Sequence, residues 1–230
     1  MTTVLLVRHG LTDANTGGTL AGWTPGVHLA AKGRDQVEAL GQRLAVVPLT
    51  AIVSSPLERC QETAAALQRG RDGLSVETDD RLGECRYGDW QGQPLKTLAK
   101  DPLWKVVQSH PSAVTFPGGE ALRDTQARAV AAIRDHNARL GADATWVAVS
   151  HGDVIKAILA DALGLHLDAF QRIVVDPASV SVVTYTDLRP FVVRMNDIGG
   201  DLAGLIPPTK KSRRRSSDAA VGGGAGGAHP

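Results

Sequence analysis

Two apolar runs in this 230-residue chain each stop at His-Gly. Val4-Leu5-Leu6-Val7 leads into Arg8-His9-Gly10, and Trp146-Val147-Ala148-Val149 leads into Ser150-His151-Gly152. A short Val/Leu-rich run that ends abruptly at a polar residue and a glycine reads as a buried strand entering a functional loop. Two such ends, distant in sequence, are expected to set two imidazoles side by side at one edge of a single sheet. In open α/β sheets that edge, outside the carboxyl ends of the strands, is where ligands bind.

The rest of the pattern agrees with such a sheet. Residues 3–8, 49–54, 74–77 and 145–150 read as strands. Residues 30–45 have apolar positions at Val37, Leu40 and Leu44 between charges, which predicts a helix. Pro56 suits the first turn of another helix, running to about Gln68. Helix is also expected over 120–140 and 154–163, the latter ended by Gly164. Residues 179–186 and 191–196 alternate around Asp187-Leu188-Arg189-Pro190 and read as a terminal hairpin. The fold class expected is therefore α/β: three layers, with a mostly parallel central sheet and helices on both faces. Residues 79–118, with Gly83, Gly88, Gly92 and Gly118 and Pro94, Pro102, Pro111 and Pro117, form a long loop-rich segment carrying one short helix near 95–108. Loops of that length inside a domain usually serve function.

Composition narrows the class. The length suits one sizeable α/β domain. No apolar run approaches the roughly 18–20 residues of a membrane span. No secretory leader is visible, so a cytoplasmic protein is expected. Cys60 and Cys85 have no metal-type spacing and read as small semi-buried residues in a reducing compartment. The formal net charge is +1, but Lys210, Lys211, Arg213, Arg214 and Arg215 against Asp218 give the segment from Pro207 a charge of +4 and leave −3 for the rest. Residues 1–206 are thus mildly acidic, which argues against nucleic acid as a partner. Residues 207–230, basic and then Gly/Ala-rich, are expected to be disordered and unable to bury a core.

Singly, either histidine reads equally well as a structural side chain. The neighbours change that weighing. Arg8 directly precedes His9, and Thr12 and Asn15 follow within one loop. The 49–54 strand ends in Ser54-Ser55-Pro56-Leu57-Glu58-Arg59, which places Arg59 in the first turn of the next helix. A helix N-terminus favours an anion, and guanidinium forks fit phosphate. Two His, two Arg, an Asn and a helix N-terminus together point to a phosphate site. His28, His110, His136 and His166 read as surface histidines.

Val7-Arg8-His9-Gly10-Leu11-Thr12-Asp13-Ala14-Asn15 resembles the Arg-His-Gly-x-Thr-x-x-Asn signature of the histidine phosphatase superfamily, the phosphoglycerate mutase-like proteins. Further matches follow in the family's order: Gly22-Trp23, Leu29 to Gly33, Ser54 to Thr63, Leu82-Gly83-Glu84, Tyr87-Gly88-Asp89-Trp90-Gln91-Gly92, Pro117-Gly118-Gly119-Glu120 and Val149-Ser150-His151-Gly152. Within the family the chain is similar to a phosphomutase subgroup of actinobacterial genomes. The resemblance implies a histidine phosphatase domain over 1–206, with His9 as nucleophile and Arg8, Arg59 and His151 binding the phosphoryl oxygens. It makes Glu84 the acid and then the base. Asn15, Thr12, Gly22 and Gly152 would surround the substrate; Trp23 and Tyr87 fit either the pocket lining or, at least as well, packing at its rim. No metal and no cofactor is implied.

The expected function is metal-independent, acid phosphatase-like hydrolysis of a small phosphorylated metabolite through a phosphohistidine, with no membrane partner and with a homodimer allowed. A phosphoglycerate mutase-type phosphomutase ranks second. Leu11 stands where the family's mutases carry Glu, and the segment after the proposed acid has Lys96, Lys100 and Lys105 in place of paired arginines. A phosphate-binding module without catalysis, or a basic tail that binds nucleic acid or anionic lipid, ranks lower. Gly118-Gly119-Glu120 fits either a loop around the site or a helix start.

Overall fold

The first apolar run divides between two cores. Leu5 and Val7 pack in one cluster of buried side chains and Val4 and Leu6 in another, because successive side chains of a strand point to opposite faces. A computed structural model describes residues 1–200 and 221–224. In chain order its strands are β1 (Thr2–Arg8), β2 (Ala51–Ser54), β3 (Val76–Thr78), β4 (Thr145–Ser150), β5 (Val180–Tyr185) and β6 (Pro190–Asp197). Its helices are α1 (Asp13–Thr16), α2 (Ala31–Leu44), α3 (Glu58–Gln68), α4 (Leu95–Leu98), α5 (Pro102–Ser109), α6 (Leu122–Leu140) and α7 (Gly152–Ala162).

The strands form one sheet in the order β3-β2-β4-β1-β5-β6. The β3-β2, β2-β4 and β4-β1 pairings are parallel, and the terminal hairpin adds β5 and β6 antiparallel. Leu5, Val7, Ile52, Val147 and Val149 pack with Val37, Leu40 and Leu44 of α2 and Cys60, Ala64 and Leu67 of α3. On the other face Val4, Leu6, Val53, Trp146 and Ala148 pack with Ala129, Ala132 and Ile133 of α6 and Ile155, Ile158 and Leu159 of α7. That is the three-layer α/β arrangement with helices on both faces.

The order also fixes where a ligand goes. From β1 the chain moves outward to β2 and β3, then returns to insert β4 beside β1. β1 leads on to α2 on one face, whereas β4 leads on to α7 on the other. The loops beyond β1 and β4 therefore part to opposite sides, and a crevice opens between them at the carboxyl edge. Arg8 pairs with Ser150 in register, so the next residues, His9 and His151, emerge together into that crevice.

Several boundaries differ from expectation. The ladder of α3 begins at Leu57, whose carbonyl accepts from Cys60 and Gln61, so Pro56 stands just outside the helix. The helix expected near 95–108 is two, because Pro102 has no N–H to continue α4 and Asp101 caps the new start through Leu103 N–H at 2.8 Å. The helix expected from Val154 begins two residues earlier at Gly152, directly after His151. Most of 207–230 lies outside the described residues. Val221–Gly224 are the part of it that is described. They form a turn in which Val221 is 2% exposed, because its isopropyl group finds an apolar site among the residues of the larger core.

Candidate active site

His9 leaves β1 with its backbone N–H on Ser150 O (3.0 Å). Its Nδ1 lies 2.8 Å from Gly10 O. A carbonyl only accepts, so Nδ1 carries the proton and Nε2 has a bare lone pair. Arg59 Nε donates to that same Nε2 at 3.3 Å, which agrees with the assignment. Burial lowers the imidazole well below its usual pKa, and the nearby Arg59 and Arg8 charges lower it further. His9 is thus neutral, with Nε2 unprotonated and its lone pair accepting from Arg59, a bond that must yield before that nitrogen attacks an electrophile.

His151 is the cap residue of α7 and fully buried. Its ring centroid lies 5.3 Å from that of His9. Arg59 Nη2 donates to His151 Nδ1 at 3.1 Å, so Nε2 holds the proton and donates to Ser55 Oγ at 2.7 Å. Burial, then the charge of Arg59, keeps this imidazole neutral too. Ser55, in the strand-to-helix turn after β2, fixes the tautomer. In the sequence Ser55 stands only as part of the Ser54–Thr63 motif, and its place beyond β2, beside the end of β4, is what brings it to the second histidine.

The two guanidiniums approach from different elements. Arg59 comes from the first turn of α3, is 2% exposed, and also donates to Gly22 O at 2.9 Å. Its Nη1 has no hydrogen-bond partner among the described residues. A buried donor left over beside two neutral imidazoles is a place for an incoming anion. Arg8, fully buried, donates from Nη1 to Val175 O at 2.8 Å. Burial brings its pKa down to about 10, against the pull of Glu84, Asp153 and Asp176, and it stays charged at neutral pH. The N-termini of α3 and α7 reinforce the positive potential.

Glu84 lies in the loop after a short helical turn over Asp80–Leu82. It is 4% exposed, accepts from Cys85 N–H through Oε1 at 2.9 Å, and sets Oε2 4.0 Å from His151 Nδ1. Burial raises the carboxyl to about 7, helped by Asp153 and opposed by Arg59 and Arg8. A carboxyl that holds its proton near neutrality can serve as general acid. What aims it was not read from the sequence. Arg128 on α6 donates to Arg81 O (2.6 Å), Gly83 O (2.8 Å) and Glu84 O (3.0 Å), while Glu120 grips the same guanidinium at 2.6 and 3.1 Å. Glu120 precedes α6 and also accepts from Arg86 N–H at 2.8 Å. It is therefore a buttress behind the Glu84 loop, neither a helix first-turn residue nor part of the cavity lining.

The remaining candidates separate. Thr12, Asn15, Gly22, Leu20 and Leu95 line the cavity together with His9, Arg59 and Glu84. Thr12 and Asn15 also cap α1 reciprocally, with Thr12 N–H and Oγ1 on Asn15 Oδ1 at 3.1 and 2.9 Å. Gly152 opens α7. Tyr87 and Trp23 are not among its lining residues, and neither are Arg8, His151 and Gly152. Tyr87 is wholly buried, edge-on to Phe116 with its hydroxyl donating to Asp153 Oδ2 at 2.9 Å. Trp23 Nε1 donates to Glu84 O at 2.6 Å under the Arg86 guanidinium. Both brace the site from behind, since an aromatic with a polar tip needs a buried partner for it. His136, expected at the surface, is 9% exposed and bonds Asp79 Oδ2 at 2.9 Å. Cys60 and Cys85 are free thiols and fully buried rather than semi-buried. Among the described residues no three His, Cys, Asp or Glu side chains converge as a metal site, and no helix is long and apolar enough to cross a membrane.

An α/β sheet that gathers two neutral imidazoles, two buried guanidiniums and one protonatable carboxyl at its switch point defines a phosphoryl-handling site. The chain belongs to the histidine phosphatase superfamily (branch 1), whose sequence profile matches residues 4–198. Glucosyl-3-phosphoglycerate phosphatase of Mycolicibacterium vanbaalenii is 33% identical over 172 residues, covering 72% of this chain and 76% of that one. The "Probable phosphoglycerate mutase GpmB" of Yersinia enterocolitica is 32% identical over 212 residues, 90% and 97% of the two chains. The solved structure of Bacillus stearothermophilus YhfR superposes with a TM-score of 0.80 at 30% identity, covering 86% of this chain and 98% of that one.

Proposed function

We propose that this chain hydrolyses the phosphomonoester of a small metabolite through a phosphohistidine at His9. The observation that carries the reading is the state of His9: Nδ1 is tied to Gly10 O, and Nε2 is unprotonated and faces Arg59. In the first step Nε2 attacks phosphorus, the P–N bond forms, the ester P–O bond breaks, and Glu84 gives its proton to the leaving oxygen. In the second step water attacks phosphorus, Glu84 takes a proton from it, and the P–N bond breaks to release phosphate. Arg8 and Arg59 donate to the non-bridging oxygens, and His151, whose Nε2–H is committed to Ser55, joins them through Nδ1 by taking up a proton as the dianion arrives. Catalysis is then mostly positioning and charge stabilisation. No step calls for a metal.

The similarity to a glucosyl-3-phosphoglycerate phosphatase supports a polar, sugar-acid type of substrate. The match to a protein named as a mutase supports phosphomutase activity as the second reading. Against it, Leu11 is 6% exposed and turned into the protein, where the family's mutases carry Glu. Two free buried thiols support a reducing cytoplasm.

The test is turnover of a chromogenic aryl phosphate with and without chelator. Turnover is expected to survive chelation, and His9→Ala is expected to lose about 10³-fold or more in kcat, the scale seen when a catalytic nucleophile is removed. Equal activity of His9→Ala and wild type sinks the nucleophile assignment. Isomerisation of 3-phosphoglycerate in the presence of a bisphosphate primer would reverse the order of hydrolase and mutase.

A further inference from the structure

The chain's own residues Val221–Gly224 fill the ligand space of the site. Val221 is 2% exposed and belongs to the core cluster that includes Leu20 and Tyr87. Gly222 N–H donates to Asp153 Oδ2 at 2.8 Å, sharing that oxygen with the Tyr87 hydroxyl. Gly222 has φ +75°, and a Cβ there would meet Leu20 Cδ1 at 3.0 Å, so the turn needs glycine. Beyond it, Arg8 Nη2 donates to Gly222 O at 3.3 Å and to Gly224 O at 2.6 Å. The cavity that remains beside His9, bounded by Val221, Gly222 and Gly224, is about 20 Å³. That is room for about one water molecule, not for a phosphoryl group.

The polarity of the segment decides what it is. A wall that completes a phosphate site offers N–H donors to the anion. Here the Gly222 N–H points to a buried carboxylate, and the carbonyl oxygens face the arginine. Carbonyl oxygens on a guanidinium take the donor that a phosphate oxygen would use, and they repel an anion brought beside them.

We propose that Val221–Gly224 are an intramolecular plug that competes with the phosphoryl group for Arg8 and for the space in front of His9. The proposal rests on the reading of this site as a phosphate site. Substrate enters only in the fraction of molecules whose plug has left, and its apparent affinity is reduced by that fraction.

The experiment uses the full chain. Val221→Gln puts a neutral amide that does not fit into the valine's site. Gly222→Val leaves Val221 in place but adds a branched Cβ at positive φ against Leu20. Binding of orthovanadate is measured by calorimetry, beside kcat/KM for an aryl phosphate, with circular dichroism as the check on folding. Both variants are expected to bind vanadate about tenfold or more tightly than wild type. A synthetic peptide of residues 218–227 is expected to displace vanadate from Val221→Gln competitively. Folded variants that bind vanadate no better than wild type overturn the plug, as does a peptide that leaves vanadate in place. If Val221→Gln does not fold, Gly222→Val decides, and takes its place in the peptide test. Vanadate binding needs no turnover. Tighter binding in a protein that hydrolyses nothing would remove the hydrolase reading and keep the plug, and unchanged binding in an active hydrolase would do the reverse.

Discussion

Glu84 Oε2 stands 4.0 Å from Nδ1 of His151, with both side chains buried and the imidazole neutral. No imidazolium partner draws the carboxyl down, and burial raises it to about 7. The proton is therefore held below about pH 7 and lost above it. For an alkyl phosphate, whose leaving oxygen needs that proton, kcat/KM is expected to fall as pH rises through about 7. A nitrophenyl ester leaves without help and is expected to fall far less. Identical pH profiles for the two esters would contradict the acid role.

The same shift is a statement about stability. A carboxyl whose pKa is raised on folding, here from the usual 4.5 to about 7, favours the folded state while it is protonated. That contribution is fully present below about pH 4.5 and is lost as pH rises through about 7. Glu84→Gln carries a neutral isostere at every pH. It is expected to melt higher than wild type at pH 8 while losing turnover of alkyl phosphates, and to show little difference at pH 5. A lower melting temperature at pH 8 would mean that the ionised carboxylate is held favourably.

Much of this site was legible because its positions are strand and helix ends. Apolar runs gave β1 and β4, and Gly10 and Gly152 marked where each stops, so that His9 and His151 were placed before any geometry was known. Arg59 followed from Ser54-Ser55-Pro56, although the helix starts two residues past the proline, after the Leu57 cap. Tyr87 and Trp23 stayed open between pocket and rim because a motif shows that an aromatic is present but not which way it turns, and each turned to a buried polar partner. Arg128 carried no signal at all: on a helix with polar residues at most positions, one arginine reads like the rest until three loop carbonyls are found around it. Val221 was hidden by composition, since one valine among glycines and alanines falls below any hydrophobic pattern.

Arg128 makes a specific demand on the loop that carries the acid. Its fork serves Arg81, Gly83 and Glu84 carbonyls, backed by two bonds to Glu120. A lysine offers a point charge in place of that planar fork. Arg128→Ala and Arg128→Lys are both expected to lower stability, by about 1–3 kcal/mol for the alanine, as half-buried carbonyls and a carboxylate lose their donors. The more telling measurement is the leaving-group dependence. Misplacing Glu84 is expected to slow alkyl phosphates much more than nitrophenyl esters, with vanadate affinity unchanged. Equal loss for both substrates would make Arg128 merely structural.

Tyr87 tests the opposite assignment. Its hydroxyl donates to Asp153 Oδ2 at 2.9 Å and its ring packs edge-on to Phe116, 5.0 Å between centroids. Asp153 Oδ1 has no hydrogen-bond partner among the described residues, and Lys156 Nζ lies 3.8 Å away from it. Removing one more donor leaves a buried carboxylate poorly satisfied, which costs about 1–3 kcal/mol. Tyr87→Phe is thus expected to lower the urea midpoint while preserving the ring packing. If the tyrosine braces the core, KM for a small phosphate ester stays where it was. If the hydroxyl touches substrate, KM rises while stability is kept, and the placement of Tyr87 behind the site is wrong.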